Sequence, residues 1–585
     1  MIGVVAATAG GRSAAGALAA AWPGEVRSFT DLKASEALRE AWRTCDSIVS
    51  FLAVGATVRV LAPLLEHKTT DPAVVCVDES MRFAVAVLGG HHGANLLARR
   101  LTGVLGCEPV VTTASDRTGV APLDSYGADL GFTVHNPDLL AHVGAAVLSG
   151  EPVALEGADG WPLPALPPNV RVPPSAQDER EEQDEPGTGI LVTDGAEIAC
   201  MCHEGWFGNR LVYRPPSLVV GVGSARGVTA AEAGELIDLT LAGAGLAPES
   251  VRCLATVDLK ADEEGILKAA EERGWEVVTF PAEVLAEVEV PNPSEVVRAE
   301  VGTPSVAEAA ALHAARSFGR SAELVAPKHK SANATAAVAR LAPKGRLSIV
   351  GLGPGARDLL TPRAHEALRR SSVVVGLDQY VDQVRDLLRP GTRIVESGLG
   401  QEEERARTAV EEAEAGRAVA LIGSGDAGVY AMASPALEFA SDRVEVEGVP
   451  GITAAVAASG LLGAPLGHDH AYISLSDLHT PWEIIERRVR AAAEGDFAVC
   501  FYNPRSRARD WQLPAALEIL AAHRPPDTPV GLVRNASRPD ETVTVTTLGG
   551  LDPEAVDMLT VVLVGSSRSR TVAGRFVTPR GYRWA

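Results

Sequence analysis

Aromatic side chains make up only 4% of this 585-residue chain. Its cores must therefore be built from alanine, valine and other small aliphatics, which suits α/β layers with close helix–sheet contact. Cysteine is scarce too, with seven residues, scattered and odd in number. That excludes a secreted disulfide framework and predicts a reducing, cytoplasmic setting. No apolar run reaches about 18 residues, so no membrane span is expected. The apolar start Met1–Ala7 has no basic leader and is cut short at Gly10-Gly11-Arg12, so it reads as a strand and not as a signal peptide. Positive charge is also in deficit. Lys and Arg number 53 against 75 Asp and Glu, a formal net charge of -22. Nucleic acid and anionic lipid need a basic face, so both are excluded as general partners.

What is present is a long chain with 46% hydrophobic residues. That length predicts two to four folded domains. No internal repeat is visible. Residues 157–189 are rich in proline and carry the acidic run Asp178–Pro186. Such a segment buries too little apolar area to offset its ordering entropy, and a solvated linker is expected. A second junction, Leu341-Ala342-Pro343-Lys344-Gly345, reads as a short turn. Between these breaks strands and helices alternate. Val74–Val77, Phe83–Leu88 and Ser217–Gly223 read as strands, and Asn95–Val104 as a helix. Thr229, followed by Glu232, predicts a capping box opening a helix that runs to about Gly243.

The richest chemistry lies after residue 345. The strand Leu347–Val350 runs into Gly351-Leu352-Gly353-Pro354-Gly355, and Thr361-Pro362 then opens a helix. Glycines at a strand's end let a ligand approach the backbone. Pro354 and the glycine spacing depart from the dinucleotide fingerprint. Ala418–Ile422 is a second strand, ending in Gly423-Ser424-Gly425-Asp426-Ala427-Gly428-Val429-Tyr430. Asp426 is either an acceptor for an adenosine-type ligand or the cap of a helix starting near Val429, and Tyr430 offers an apolar wall. Val449-Pro450-Gly451-Ile452-Thr453-Ala454 is a third such element, in which Thr453 begins an Ala-rich helix.

These three elements, in this order and spacing, resemble the tetrapyrrole methyltransferase family. Further segments narrow the likeness, among them Gly463–Asp469, Ile473–Leu478, Phe501–Arg507, Val530–Ala536 and Glu541–Leu548. They are similar to precorrin-3B (or cobalt-factor III) carbon-17 methyltransferases over residues 346–585. The resemblance implies an S-adenosylmethionine-dependent enzyme of cobalamin biosynthesis, with two α/β lobes and the cofactor in the cleft between them. It implies a glycine loop Gly353-Pro354-Gly355 facing a substrate trough. It implies cofactor contacts from Gly425, Asp426, Val429, Tyr430, Thr453, Ala454, Tyr502, Asn503, Ala536 and Thr547. The family reaction also contracts the macrocycle, which needs a proton donor or acceptor, and His468, Asp469, His470 and Asp477 have suitable chemistry. Substrate carboxylates want cationic partners, for which Arg505, Arg507, Arg534 and Arg538 are available. A homodimer is the implied assembly.

In the N-terminal half, Arg59–Leu65, Gly89–Asn95, Ala255–Glu263, Val301–Ala309 and Pro327–Thr335 together resemble the cobalt-precorrin-5A hydrolase family. That family opens a lactone and releases acetaldehyde. The resemblance implies N-terminal α/β domains of the hydrolase family, so that the chain divides into 1–134, 135–215 with the linker, 216–340 and 346–585. Gly89-Gly90-His91-His92-Gly93 and Gly223-Ser224-Ala225-Arg226-Gly227 depart from the family's usual turns. Lys260, Asp262, Glu263, Lys328 and Lys330 are the polar groups available to such an activity. Cys200-Met201-Cys202-His203 has poor zinc spacing, and no metal is expected. Two readings stay open: a bifunctional enzyme, or a methyltransferase whose first half only binds tetrapyrrole or other enzymes of the pathway. A dinucleotide oxidoreductase is disfavoured, because neither glycine loop is followed at the right distance by an acidic ribose-binding residue.

Overall fold

A computed structural model describes the chain except residues 67–70, 91–92, 112–117, 174–186, 197–208, 507–508 and 583–585. The His91-His92 pair, the Cys200–His203 run, Arg507 and the acidic run 178–186 lie outside the described residues. The chain forms two compact units, Met1–Pro343 with Arg389–Gly391, and Lys344–Leu388 with Thr392–Ala585. Among the described residues no helix is long and apolar enough to cross a membrane.

The first unit holds three sheets. The first has six strands, from Val26–Ser28 at one edge to Glu108–Val110 at the other. The second is built on Asn209–Arg214, Thr188–Val192 and Val153–Glu156, and the third on Val251–Val257, Leu218–Ser224 and Ala334–Pro343. The structure moves the first expected boundary. Thr133-Val134 pairs with Asn209–Arg214, and Val120, Leu123, Tyr126 and Phe132 pack into the core of the second sheet. Residues 120–134 therefore pack with the second sheet. The linker reading also fails for its first part. Leu163 and Ala165 are buried, the Trp161 ring stands edge-on to Phe132 at 4.8 Å, and Val170-Arg171 joins the sheet. A few large apolar side chains there outweigh the proline content. Thr229 caps its helix as expected, its side chain accepting from the Glu232 amide. The Glu232 carboxylate does not return the bond but accepts from Ser331 and Asn333.

The expected turn at 341–345 is also replaced. Leu341–Pro343 end the strand Ala334–Pro343, and Gly345 already opens Gly345–Gly351. That strand is part of the first lobe of the second unit, a five-stranded, wholly parallel sheet. Its order is Arg393–Ser397, Val373–Leu377, Ala418–Gly423, Gly345–Gly351, Val444–Val449. Alternate residues serve opposite faces. Leu347, Ile349, Val373, Val375, Val419 and Leu421 meet Ala406, Ala409 and Ala413 of the helix Glu402–Glu414. Val350, Val374, Ala420 and Ile422 meet Ala364, Ala367 and Leu368 of the helix Pro362–Arg370. Alanine on the helices lets the layers approach closely, which is how a core with so few aromatics fills.

The second lobe is a mixed sheet in the order His470–Ser474, Ala498–Tyr502, Thr560–Val564, Pro529–Arg534, Thr542–Thr547. Its faces carry Phe501, Val530 and Val562 on one side and Cys500, Val533 and Leu563 on the other.

Candidate functional site

Three strands of the first lobe run into glycine turns, and their ends converge. Gly353 and Gly425 exchange backbone hydrogen bonds of 3.0 and 2.8 Å, both with positive φ (75° and 70°). Gly351 and Gly451 pack against the same point: a Cβ at Gly451 would meet the Gly425 carbonyl oxygen at 2.1 Å. Only a residue with no side chain fits such a backbone crossing. The result lies at the carboxyl ends of parallel strands, where open α/β sheets bind ligands.

Asp426 holds the crossing together. One carboxylate oxygen accepts from the Gly428 amide at 2.9 Å, and the other from the Gly451 amide at 3.0 Å. The next helix, Ala433–Phe439, starts seven residues later. Asp426 is thus neither a helix cap nor part of the cleft wall. It ties the second glycine loop to the third.

Thr453 is the N-cap of Ala454–Leu462, but its side chain does not cap it. The Thr453 hydroxyl instead pairs with the Tyr502 hydroxyl, which itself accepts from the Ala455 amide at 3.0 Å. A residue at the end of a second-lobe strand therefore supplies the cap for a helix that starts beside the first lobe. The Tyr430 hydroxyl donates to the Tyr472 carbonyl at 2.7 Å, and the Tyr430 and Tyr502 rings lie 5.3 Å apart. Burial pushes the Tyr502 phenol up to about 12, against the pull of its bond with Thr453. A free phenol ionises near about pH 10, so the stability this group lends is full below that pH and is lost as pH rises through about 12. Tyrosinate absorbance at about pH 10.5 should therefore be the same in wild type and Tyr502→Phe, with a difference emerging only at higher pH.

Arg538 crosses from the second lobe. Its Nε donates to the Pro354 carbonyl at 2.7 Å, one Nη donates to Ser424 Oγ at 2.9 Å, and its stem covers Gly355. Between these features lies a cleft of about 310 Å³, within the range of small-molecule sites, roughly 300 to 1,000 Å³. Its walls include Pro354, Gly425, Val429, Tyr430, Thr453, Ala454, Tyr502 and Ala536. Leu377, Tyr380, Glu402, Arg405, Met432, Asn535 and Met558–Val561 also line it. Sequence reading did not single out this second set. Among them Asn535 sits at φ 52°, a conformation asparagine tolerates better than most. Tyr430, Asn503 and Ser537 are left-handed too, so backbone strain gathers around the cleft.

Several expected site residues lie elsewhere. Asn503 adjoins the cleft but turns its amide to Ser474. Thr547 pairs with Pro529, at the opposite end of its strand pair from Arg534 and Asn535. His468, Asp469 and His470 sit where the strand His470–Ser474 begins, about 13 Å of strand from its carboxyl end. His468 Nδ1 faces the Asp469 carboxylate at 3.2 Å, and both side chains are exposed. Asp477 is at the correct end but accepts from Gln512 at 2.8 Å. Arg505 is held by Glu554 and the Pro553 carbonyl. Arg534 is held by Asp557, whose carboxyl burial alone would raise but which Arg534 and Thr560 bring below its ordinary value. Replacing His468 with alanine should change stability by no more than about 0.5 kcal/mol and ligand affinity by less than about twofold, as for other exposed groups remote from a site.

In the first unit, Lys260, Asp262 and Glu263 do come together. The buried Glu263 carboxylate accepts from the Gly227 amide at 2.8 Å and faces the Lys260 ammonium at 3.7 Å, while Asp262 pairs with Arg226. Lys328 donates instead to the Asn292 carbonyl, and Lys330 is exposed at the end of its strand.

Residues 346–552 match the family model of tetrapyrrole (corrin/porphyrin) methylases. Residues 36–116 match cobalamin synthesis G N-terminal, and 218–339 match cobalamin synthesis G C-terminus. A probable cobalt-factor III C(17)-methyltransferase of Salmonella typhimurium is 48% identical over 239 residues, 40% of this chain and 99% of that protein. A precorrin-3B C(17)-methyltransferase of a Sinorhizobium species is 43% identical over 39% of this chain and 91% of its own length. A crystal structure of the methyltransferase CobJ, 42% identical, covers 40% of this chain and all of that one, with a TM-score of 0.39. On its second unit the chain belongs to the tetrapyrrole (corrin/porphyrin) methylase family, joined to a first unit that carries both cobalamin synthesis G models.

Proposed function

We propose that the second unit methylates carbon-17 of precorrin-3B with contraction of the ring to precorrin-4, or of its cobalt-bearing counterpart cobalt-factor III with contraction to cobalt-precorrin-4, the latter with a two-electron reductant as co-substrate. The observation that carries this is the glycine-lined cleft of a unit that is 48% identical to nearly the whole of a C17-methyltransferase. The cleft fits S-adenosylmethionine. The bare backbones of Gly353 and Gly425 admit a flat nucleoside, Ala454 and Ala536 leave room beside it, and Tyr430 and Tyr502 offer ring faces. When bound, the cofactor supplies an electrophilic methyl group on a sulfonium.

The protein's own contribution is alignment, which is most of what an in-line displacement requires. Asp426 fixes the two loops, and Tyr502, kept protonated, fixes the start of the Ala454 helix. Arg538 spans the glycine loops from the second lobe and limits how far the lobes part. We place the cofactor against Pro354, Gly425, Val429, Tyr430, Thr453, Ala454, Tyr502 and Ala536. The enzyme on this reading works in the cytoplasm as a homodimer.

The test offers metal-free and cobalt-loaded substrate side by side with S-adenosylmethionine and reads product mass. One added methyl group, with the altered visible absorption of a contracted ring, supports the reading, and no mass change with either substrate defeats it.

A second reading concerns the first unit: opening of the cobalt-precorrin-5A lactone with acetaldehyde release. The two cobalamin synthesis G models and the buried Glu263 beside Lys260 favour it. The division of the first unit then follows its sheets, with the hydrolase-like third sheet at about 216–340. Acetaldehyde released by the full chain from the lactone supports this reading. Its absence leaves the first unit as a binding module.

A further inference from the structure

Arg405 lines the cleft from the second turn of the helix Glu402–Glu414 and is only 5% exposed. Its Nε donates to Ser397 Oγ at 2.7 Å, one terminal nitrogen to the Gly398 carbonyl at 2.8 Å, and the other to Met432 Sδ at 3.6 Å. Among the described residues no carboxylate lies within 4.0 Å of it. A buried cation without an anion is costly unless something neutralises it. Guanidinium has five N–H donors. Three are engaged, which leaves one free on each terminal nitrogen, the fork that meets a carboxylate through two parallel bonds. Arg214 and Arg524 are buried as deeply but donate to carbonyls of their own cores, and neither lines the cleft.

Position sharpens the point. Ser397 and Gly398 follow the strand at one edge of the first-lobe sheet, whereas Gly451 and Thr453 follow the strand at the other. Four strand intervals of about 4.8 Å separate those edges, roughly 19 Å. Arg405 thus takes two of its three bonds at the sheet edge away from the strand that leads to Thr453.

We infer that Arg405 is a carboxylate seat inside the cleft, taking either the amino-acid carboxylate of the cofactor or a side-chain carboxylate of the macrocycle. The inference rests on the methyltransferase reading above. Arg505 and Arg534 do not fill this role, since each is paired with a carboxylate of its own lobe, and Arg538, which also lines the cleft, is committed to bridging Pro354 and Ser424.

The test uses the full chain and three probes: S-adenosylhomocysteine, methylthioadenosine (the same nucleoside without the carboxylate) and uroporphyrin III, a stable octacarboxylate ring. Affinities are measured by calorimetry, or by fluorescence for the ring. Arg405→Gln keeps hydrogen-bonding capacity toward Ser397 and Gly398 and removes the charge. Arg405→Lys keeps the charge. Thermal melting confirms that both fold.

If the seat takes the cofactor, Arg405→Gln weakens S-adenosylhomocysteine at least about tenfold and leaves methylthioadenosine unchanged. If it takes the ring, uroporphyrin III weakens by a similar factor and S-adenosylhomocysteine does not. In either case Arg405→Lys, which keeps the charge but not the fork, recovers part of the loss. Unchanged affinity for all three probes in Arg405→Gln overturns the inference, as does an equal loss in both variants, which marks a structural staple. Failure of the wild-type chain to bind S-adenosylhomocysteine or the ring overturns the methyltransferase reading itself.

Discussion

Gly451→Ala is expected to lower the stability of the second unit by about 3 kcal/mol, the top of the ordinary cost of overpacking, and to weaken cofactor binding at least about a hundredfold. The added Cβ would sit 2.1 Å from the Gly425 carbonyl oxygen and 2.7 Å from the Gly351 carbonyl. Every obstructing atom is backbone, so no side chain can swing aside. The chain must separate the three glycine loops, and those loops are the floor of the cleft. In a unit of this size each kcal/mol corresponds to about 2–4 °C, so the melting transition should fall by roughly 6–12 °C. Gly448→Ala is the control. A Cβ there meets nothing within 4 Å, and both readouts should stay near wild type.

Asp426→Ala should have the second-largest effect, and of a particular kind. It strands the Gly428 and Gly451 amides, each of which donates to the carboxylate. Hydrogen bonds to a charged group contribute about 1.5–3 kcal/mol each. Partial exposure discounts that, and a total of about 2–3 kcal/mol is expected. Cofactor affinity should fall roughly tenfold or more because the loops lose their register. A ligand-contacting Asp426 would instead lose affinity with no change in melting. Asp426→Asn, which keeps one acceptor but turns a donor toward an amide, should fall between the two.

What was legible in the sequence was local. Strand, glycine turn and cap at 345–362 could be read because Thr361 caps the Ala364 amide three residues on and Pro362 needs no amide donor. Thr229 behaved likewise. The site's tertiary bonds could not be read. The second partner of Asp426 lies 25 residues downstream, and the amide cap of the Thr453 helix comes from Tyr502, 47 residues from the amide it caps. Arg505 and Arg534 looked available for substrate only because their carboxylates, Glu554 and Asp557, are distant in sequence. Arg405 carried no motif at all; its burial follows from how a helix, a strand end and Met432 meet. The histidine candidates are a different case. His468 and His470 stand at the start of a strand that runs parallel to Ala498–Tyr502, and ligands of such sheets sit at the other end. Strand direction alone argued against them.

The most direct test is photochemical cross-linking of S-adenosylmethionine, labelled in its methyl group, to the full chain, followed by peptide mapping. Label should be confined to peptides containing Pro354, residues 423–432, 453–455, Tyr502 or 535–538. Label concentrated in residues 1–343, or on the exposed His468–His470 segment, would contradict that placement.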